Sequence, residues 1–164
     1  MYKDCMQIID GKKLRDDILA KVKNEMALLP FKPVFCDVLV GSDPVSAQYV
    51  QMKGRTAEML GIHFHKAIFP ASISTENLIQ EIKILNKIEN MCGIIVQLPL
   101  PEHIDKQMIF DAIDSKLDVD CLGKIASNRF YNGDISFGFP TALSCMALLD
   151  FINFDLENKN IVVL

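Results

Sequence analysis

The sequence has no CxxC pair, no surplus of basic residues and no apolar run long enough to span a bilayer. Each absence excludes something. Lys and Arg number 17 against 21 Asp and Glu, a formal net charge of −4, so there is no electrostatic footprint for nucleic acid. No apolar stretch reaches the length of a membrane-spanning helix, and the first residues hold no signal-peptide core. The reading expects no nucleic-acid partner, no membrane partner and a cytoplasmic protein. The cysteines are Cys5, Cys36, Cys92, Cys121 and Cys145, an odd number, three of them in or beside apolar runs. Buried free thiols in a reducing compartment are the simplest expectation. His63 and His65 share a strand face but no third ligand stands out, so exposed histidines are expected rather than a metal site.

What is present is enough for one folded domain. The chain has 164 residues, half of them hydrophobic. A chain of that length can bury roughly 70% of its unfolded surface. Its organising stretch is VGSDPVSAQYVQMKGRTAEMLGI, from Val40 to Ile62. The valine-rich run Val34–Val40 predicts a buried strand. Gly41, Ser42, Asp43 and Pro44 stop it, and Ser46 is the expected N-cap of a helix over 46–60, closed by Gly61. Tyr49 and Lys53, four residues apart, project from one face of that helix. They stand near the carboxyl end of a buried strand, where open α/β sheets usually bind ligands.

The rest of the chain alternates in the same way. A first helix is expected over 10–29, with Asp10 as N-cap and Leu14, Ile18, Val22 and Leu29 on one face. A strand over Ile62–Phe69 ends at Pro70. Ser74 caps a helix striped by Leu78, Ile82, Leu85 and Ile88. Gly93–Leu98 reads as a strand covered on both faces. A short helix follows over Asp105–Ile113, then an irregular stretch over 114–139. An apolar helix over Thr141–Phe154 and a last strand, Asn160–Leu164, complete the pattern. The fold class expected is α/β: a three-layer domain with a mainly parallel sheet flanked by helices. The sequence stops where the glycine turn of a nucleotide-binding unit would begin, so it reads as a piece of a longer protein.

Three stretches together resemble the bifunctional methylenetetrahydrofolate dehydrogenase/cyclohydrolase family. The Val40–Ile62 stretch matches VGxDPxSxxYVxxKxxxAxxxGI throughout. Gly93-Ile94-Ile95-Val96-Gln97-Leu98-Pro99-Leu100-Pro101 matches GIxVQLPLP, and Asp118-Val119-Asp120 is like the family's KDVDG. There are departures. Leu117 stands for a usual lysine and Cys121 for a usual glycine. Leu122–Phe130 lacks the family's proline and asparagine spacing, and Pro140 sits next to Thr141 where the family has P-x-T. The GRSxxVGxP cofactor loop does not occur in this chain.

The resemblance implies a folate-binding catalytic domain over 1–139. It implies the first helix and strand of a Rossmann-type NAD(P)-binding domain over 140–164. It implies oxidation of methylenetetrahydrofolate with NADP or NAD, then hydrolysis of the methenyl cation to formyltetrahydrofolate, in one-carbon metabolism that feeds purine biosynthesis. The full-length enzyme would be a homodimer that uses NADP or NAD, with no cofactor expected on this piece. By the match, Lys53 handles protons, its amine made neutral by burial. Gln97 is its uncharged hydrogen-bonding partner, where a carboxylate would favour the charged form. Tyr49 packs on the folate. Asp120 holds the pterin's amidine-like edge with two acceptors. Leu98 and Pro99, with Pro101, shape the strand-end wall.

Each residue also has a plainer reading. A helical lysine is usually solvated, a lone tyrosine is usually a boundary aromatic, and Asp120 could cap a turn. Gln97 could anchor a loop. Cys121 has no histidine near it in sequence and is not read as a nucleophile. Beside the enzyme reading stand a folate-binding module without catalysis and, more weakly, a generic α/β interaction domain.

Overall fold

The structure, a computed structural model, describes residues 8–134 and 137–162. Three parallel strands form the sheet: β1 (Val34–Val40), β2 (His63–Phe69) and β3 (Met91–Val96), in the order β2-β1-β3. β1 is therefore paired on both sides. Its register with β2 runs unbroken from Val34 opposite His63 to Val40 opposite Phe69. Its register with β3 slips once, between Val34 and Phe35.

The helices are α1 (Gly11–Met26), α2 (Pro44–Met59), α3 (Thr75–Leu85), α4 (Lys106–Ala112), α5 (Lys124–Tyr131) and α6 (Pro140–Phe151). Side chains alternate across a strand, and β1 uses both faces. Cys36, Val38 and Val40 point into a core with Leu78 and Ile82 of α3 and Ile109 and Phe110 of α4. On the opposite face Asp37 meets α2 through Lys53. Buried Val50 and Ala57 of α2 stand outside the α3–α4 core. Helices on both faces of a parallel sheet make the three-layer α/β arrangement, as expected.

The ends of the elements follow local chemistry. Asp10, Ser74 and Asp105 each accept a backbone N–H of the following helix, at 2.9, 3.2 and 3.0 Å. Gly61 follows α2 at φ 84°, where a Cβ would be strained. Three expectations are corrected. Ser46 is not the cap of α2. Asp43 is, accepting the Ser46 N–H at 2.7 Å, with Pro44 in the first turn. A carboxylate is the better acceptor at a helix N-terminus and Pro needs no N–H there, so α2 starts two residues early. The stretch 114–139 is not all irregular, because it contains α5. Asn160–Val162 are not strand, since among the described residues no neighbouring strand offers them a ladder; Val163 and Leu164 lie outside the described residues.

α1 and α6 touch each other and bury no residue fully. Among the described residues no helix is long and apolar enough to cross a membrane. The thiols divide: Cys36 and Cys121 are buried, but Cys92 and Cys145 are exposed, and Cys5 lies outside the described residues. Exposure of the last two departs from the expected buried set.

Candidate functional site

The carboxyl ends of β1 and β3 and the face of α2 converge on Lys53. Its Nζ donates to Gln97 Oε1 at 2.9 Å. Gln97 follows β3, and its backbone N–H donates to the Val38 carbonyl at 2.8 Å, so the residue is tied to the central strand. Its Nε2 donates to the Leu98 carbonyl at 3.1 Å, which fixes which end of the amide faces the amine. The Leu98–Pro99 peptide bond is cis, and both residues are exposed at the rim.

Sequence reasoning missed one member of the site. Asp37, the fourth residue of β1, is wholly buried, and its Oδ2 lies 2.6 Å from Lys53 Nζ. A carboxylate therefore faces the amine beside the uncharged amide of Gln97. The reason is parity: Asp37 points to the α2 face of the sheet, and Lys53 is the residue of α2 above it. The signal was a single charge in the apolar run VFCDVLV. The contact has the length of an ion pair, and among the described residues Oδ1 has no hydrogen-bond partner. Burial raises the Asp37 carboxyl above its ordinary range, against the opposing pull of Lys53 and Lys66.

Asp120 is half-buried on the loop after β3. Burial raises its carboxyl too; Lys53 pulls it down, while Asp118 and Asp37 push it up. Lys53 and Asp120 are thus within each other's field. Tyr49 is about half exposed, one turn before Lys53 on α2. Its hydroxyl makes no hydrogen bond to Lys53, and it sits at the outer edge of the site. Lys53 also lines a mainly apolar groove of about 740 Å³ with Leu19, Phe35, Met52, Thr56 and Leu60.

The loop that carries Asp120 is fastened by its neighbour. The Ile94 N–H donates to the Leu117 carbonyl at 2.8 Å, and Ile94 and Asp118 form a parallel bridge along the outer edge of β3. Asp118 is buried and accepts the N–H groups of Gly123 at 2.7 Å and Leu122 at 3.4 Å. The turn-capping role open to Asp120 therefore belongs to Asp118. A Cβ on Gly123 would stand 2.9 Å from the Phe110 carbonyl oxygen, so only glycine fits there. Between them Cys121 adopts φ 57°, a conformation glycine takes without strain. Burial raises its thiol, and Asp118 and Asp120 raise it further, which keeps it protonated and unreactive. His63 is exposed and His65 half-exposed, and among the described residues no cluster could hold a metal.

One pH effect follows from Asp37. Its folded carboxyl holds a proton more readily than the unfolded chain does. Its contribution to stability is then full below the ordinary carboxylate pKa and is lost as pH rises through the raised folded value. Asp37→Asn should match the wild type in acid and melt at a higher temperature near neutrality. Thermal melts across that range check this, and a variant that loses stability only near neutrality would contradict it.

Residues 9–120 match a family model for the tetrahydrofolate dehydrogenase/cyclohydrolase catalytic domain. The chain is 37% identical over 161 residues to the bifunctional protein FolD of Nautilia profundicola, covering 96% of this chain and 57% of that protein. Among solved structures, the bifunctional FolD methylenetetrahydrofolate dehydrogenase/cyclohydrolase of Campylobacter jejuni superposes with a TM-score of 0.91 at 33% identity, over 94% of this chain and 56% of that one. The methylenetetrahydrofolate dehydrogenase-cyclohydrolase of Trypanosoma brucei, solved with NADP cofactor and an inhibitor, does so with a TM-score of 0.87 at 29% identity, over 93% and 54%. The chain thus spans a little over half the length of these proteins.

Proposed function

This chain belongs to the tetrahydrofolate dehydrogenase/cyclohydrolase family, and from that premise we propose that it carries the folate site of a bifunctional enzyme of one-carbon metabolism. The whole protein would oxidise methylenetetrahydrofolate with NADP or NAD and hydrolyse methenyltetrahydrofolate to formyltetrahydrofolate. Residues 1–139 form its folate-binding catalytic domain, and 140–164 begin its cofactor domain. The observation that carries this reading is the Lys53–Gln97 hydrogen bond of 2.9 Å at the end of a parallel sheet, beside Asp120.

The residues fit the roles chemically. Lys53 takes the proton from the water that attacks the methenyl carbon. Gln97 holds the amine with an acceptor that adds no charge. Asp120 offers two acceptors to the amidine-like edge of the pterin, and its half-burial keeps water from competing. Tyr49 covers the bound ring from the rim, and Leu98 and Pro99 form the wall opposite. The helix N-terminus after β1, the natural seat for a pyrophosphate, is filled by the Asp43 carboxylate and lacks the N–H of Pro44. The setting proposed for it is a cytoplasmic homodimer that supplies formyl groups to purine biosynthesis.

The alternative, a folate-binding module without catalysis, is separated by experiment. Calorimetry with a folate analogue beside a methenyltetrahydrofolate turnover assay decides between them. Binding with turnover supports the enzyme, binding alone supports the module, and absence of binding refutes both. Asp120→Ala should weaken the analogue by roughly 10- to 100-fold, the loss of a charged hydrogen-bond acceptor. An unchanged affinity would remove Asp120 from the site.

A further inference from the structure

Asp37 is the feature of this site that the folate reading leaves unexplained. It sits in the middle of the central strand with no solvent exposure, among valines, a leucine and a phenylalanine. Among the described residues one of its oxygens has no hydrogen-bond partner, and the other lies 2.6 Å from Lys53 Nζ. Packing does not need it, because an apolar residue would fill the position without the cost of burying charge. The groups facing it are Lys53 from α2 and Lys66 from β2, its register partner. From β3 its partner is Ile95, which carries no charge. Asp120 reaches it through space from the loop after β3, and the neighbouring Cys36 thiol is held up at about 12 by burial and by Asp37 itself.

We propose that Asp37 is a positioning residue and proton store for Lys53: it holds the amine against Gln97 and receives the proton that the amine sheds before acting on water. The proposal rests on the folate reading for the identity of the substrate, and on this geometry for everything else. At rest the pair is an ammonium and a carboxylate. When a cationic methenyl group enters beside Lys53, like charges repel and water leaves the pocket. One proton then crosses 2.6 Å from Nζ to Oδ2. An ion pair becomes a neutral amine and a neutral acid, with no change in net charge. A closing, low-dielectric site favours that exchange. Water then attacks the carbon. The C–O bond forms, an O–H bond breaks, and its proton goes to Nζ, restoring the ammonium. Collapse of the adduct then breaks one C–N bond and moves the remaining hydroxyl proton to that nitrogen, so the proton left on Asp37 is the one that hydrolysis releases. Burial already raises the Asp37 carboxyl, which favours the filled store.

The test uses the 164-residue chain with 13C-labelled aspartate carboxyls. The Asp37 resonance is assigned by its loss in Asp37→Asn. It should titrate above the ordinary value of about 4, and move further up in Lys53→Met, which removes the opposing cation. Titration in the ordinary range, or indifference to Lys53→Met, overturns the store whether or not turnover is found. In the methenyltetrahydrofolate assay, Asp37→Asn should lower kcat about tenfold or more, leave KM within about twofold and change the shape of the pH profile. An unchanged kcat and profile in a folded Asp37→Asn variant also overturns it. If neither protein binds or turns over folate, the folate reading fails, and the carboxyl titration still decides whether Asp37 stores a proton for Lys53.

Discussion

Lys53→Met should abolish most hydrolysis of methenyltetrahydrofolate, by a factor of about 10²–10⁴, the range of a positioned acid–base group. The same variant should lose stability near neutral pH. Asp37 stays buried at the foot of α2, and the cation it pairs with among the described residues is gone. Stripping one partner from a buried ion pair costs about 3–5 kcal/mol, less whatever Asp37 recovers by taking up a proton. A second substitution separates the two losses. Lys53→Met combined with Asp37→Asn should regain stability, because the stranded charge is removed, while turnover stays absent. A double-mutant cycle in denaturant, run beside the assay, measures both. Hydrolysis by Lys53→Met at the wild-type rate would take the amine out of the chemistry. A double variant no more stable than the single would mean that the pair is not coupled.

Asp118→Ala should have the second largest effect. Asp118 is buried and holds the N–H groups of Leu122 and Gly123, at the point where the chain turns from the edge of β3 into α5. Each hydrogen bond to a charged group contributes about 1.5–3 kcal/mol, and the buried donors would be left without an acceptor. The shorter bond dominates, so a total near 3 kcal/mol is reasonable, or a melting temperature lower by roughly 6–12 °C for a chain of this size. Folate affinity should fall with it, because Asp120 lies two residues along the same tethered loop. Calorimetric melting and folate titration of one sample read out both. A stable variant with intact affinity would show that the loop is held by something else.

Much of this was legible in the letters. β1 spans Val34–Val40, the run its valines predicted, and Asp10 and Ser74 cap helices because their side chains reach the next N–H groups. Lys53 and Gln97 are 44 residues apart in sequence, and their contact was implied by the family match rather than by any local rule. What escaped was decided by tertiary contacts. α5 follows Gly123, which has no capping side chain; Asp118 and Asp111 hold the N–H groups of Gly123 and Lys124 from other parts of the chain. Asp43 outcompeted Ser46 because a carboxylate suits the positive end of a helix better and Pro44 fits the first turn, although either letter alone could cap. Asp37 was visible as a letter, but its meaning depends on which face of the sheet it takes and on what lies over that face.

The central place of β1 carries a last consequence. A strand with ladders on both flanks exposes its amides only when the entire domain opens, so these protons should be among the slowest to exchange with solvent. Asp37 belongs to that strand, and Gln97 is bonded to its Val38 carbonyl. The reactive groups are fastened to the most persistent part of the molecule, so inactivation by denaturant should coincide with global unfolding rather than precede it.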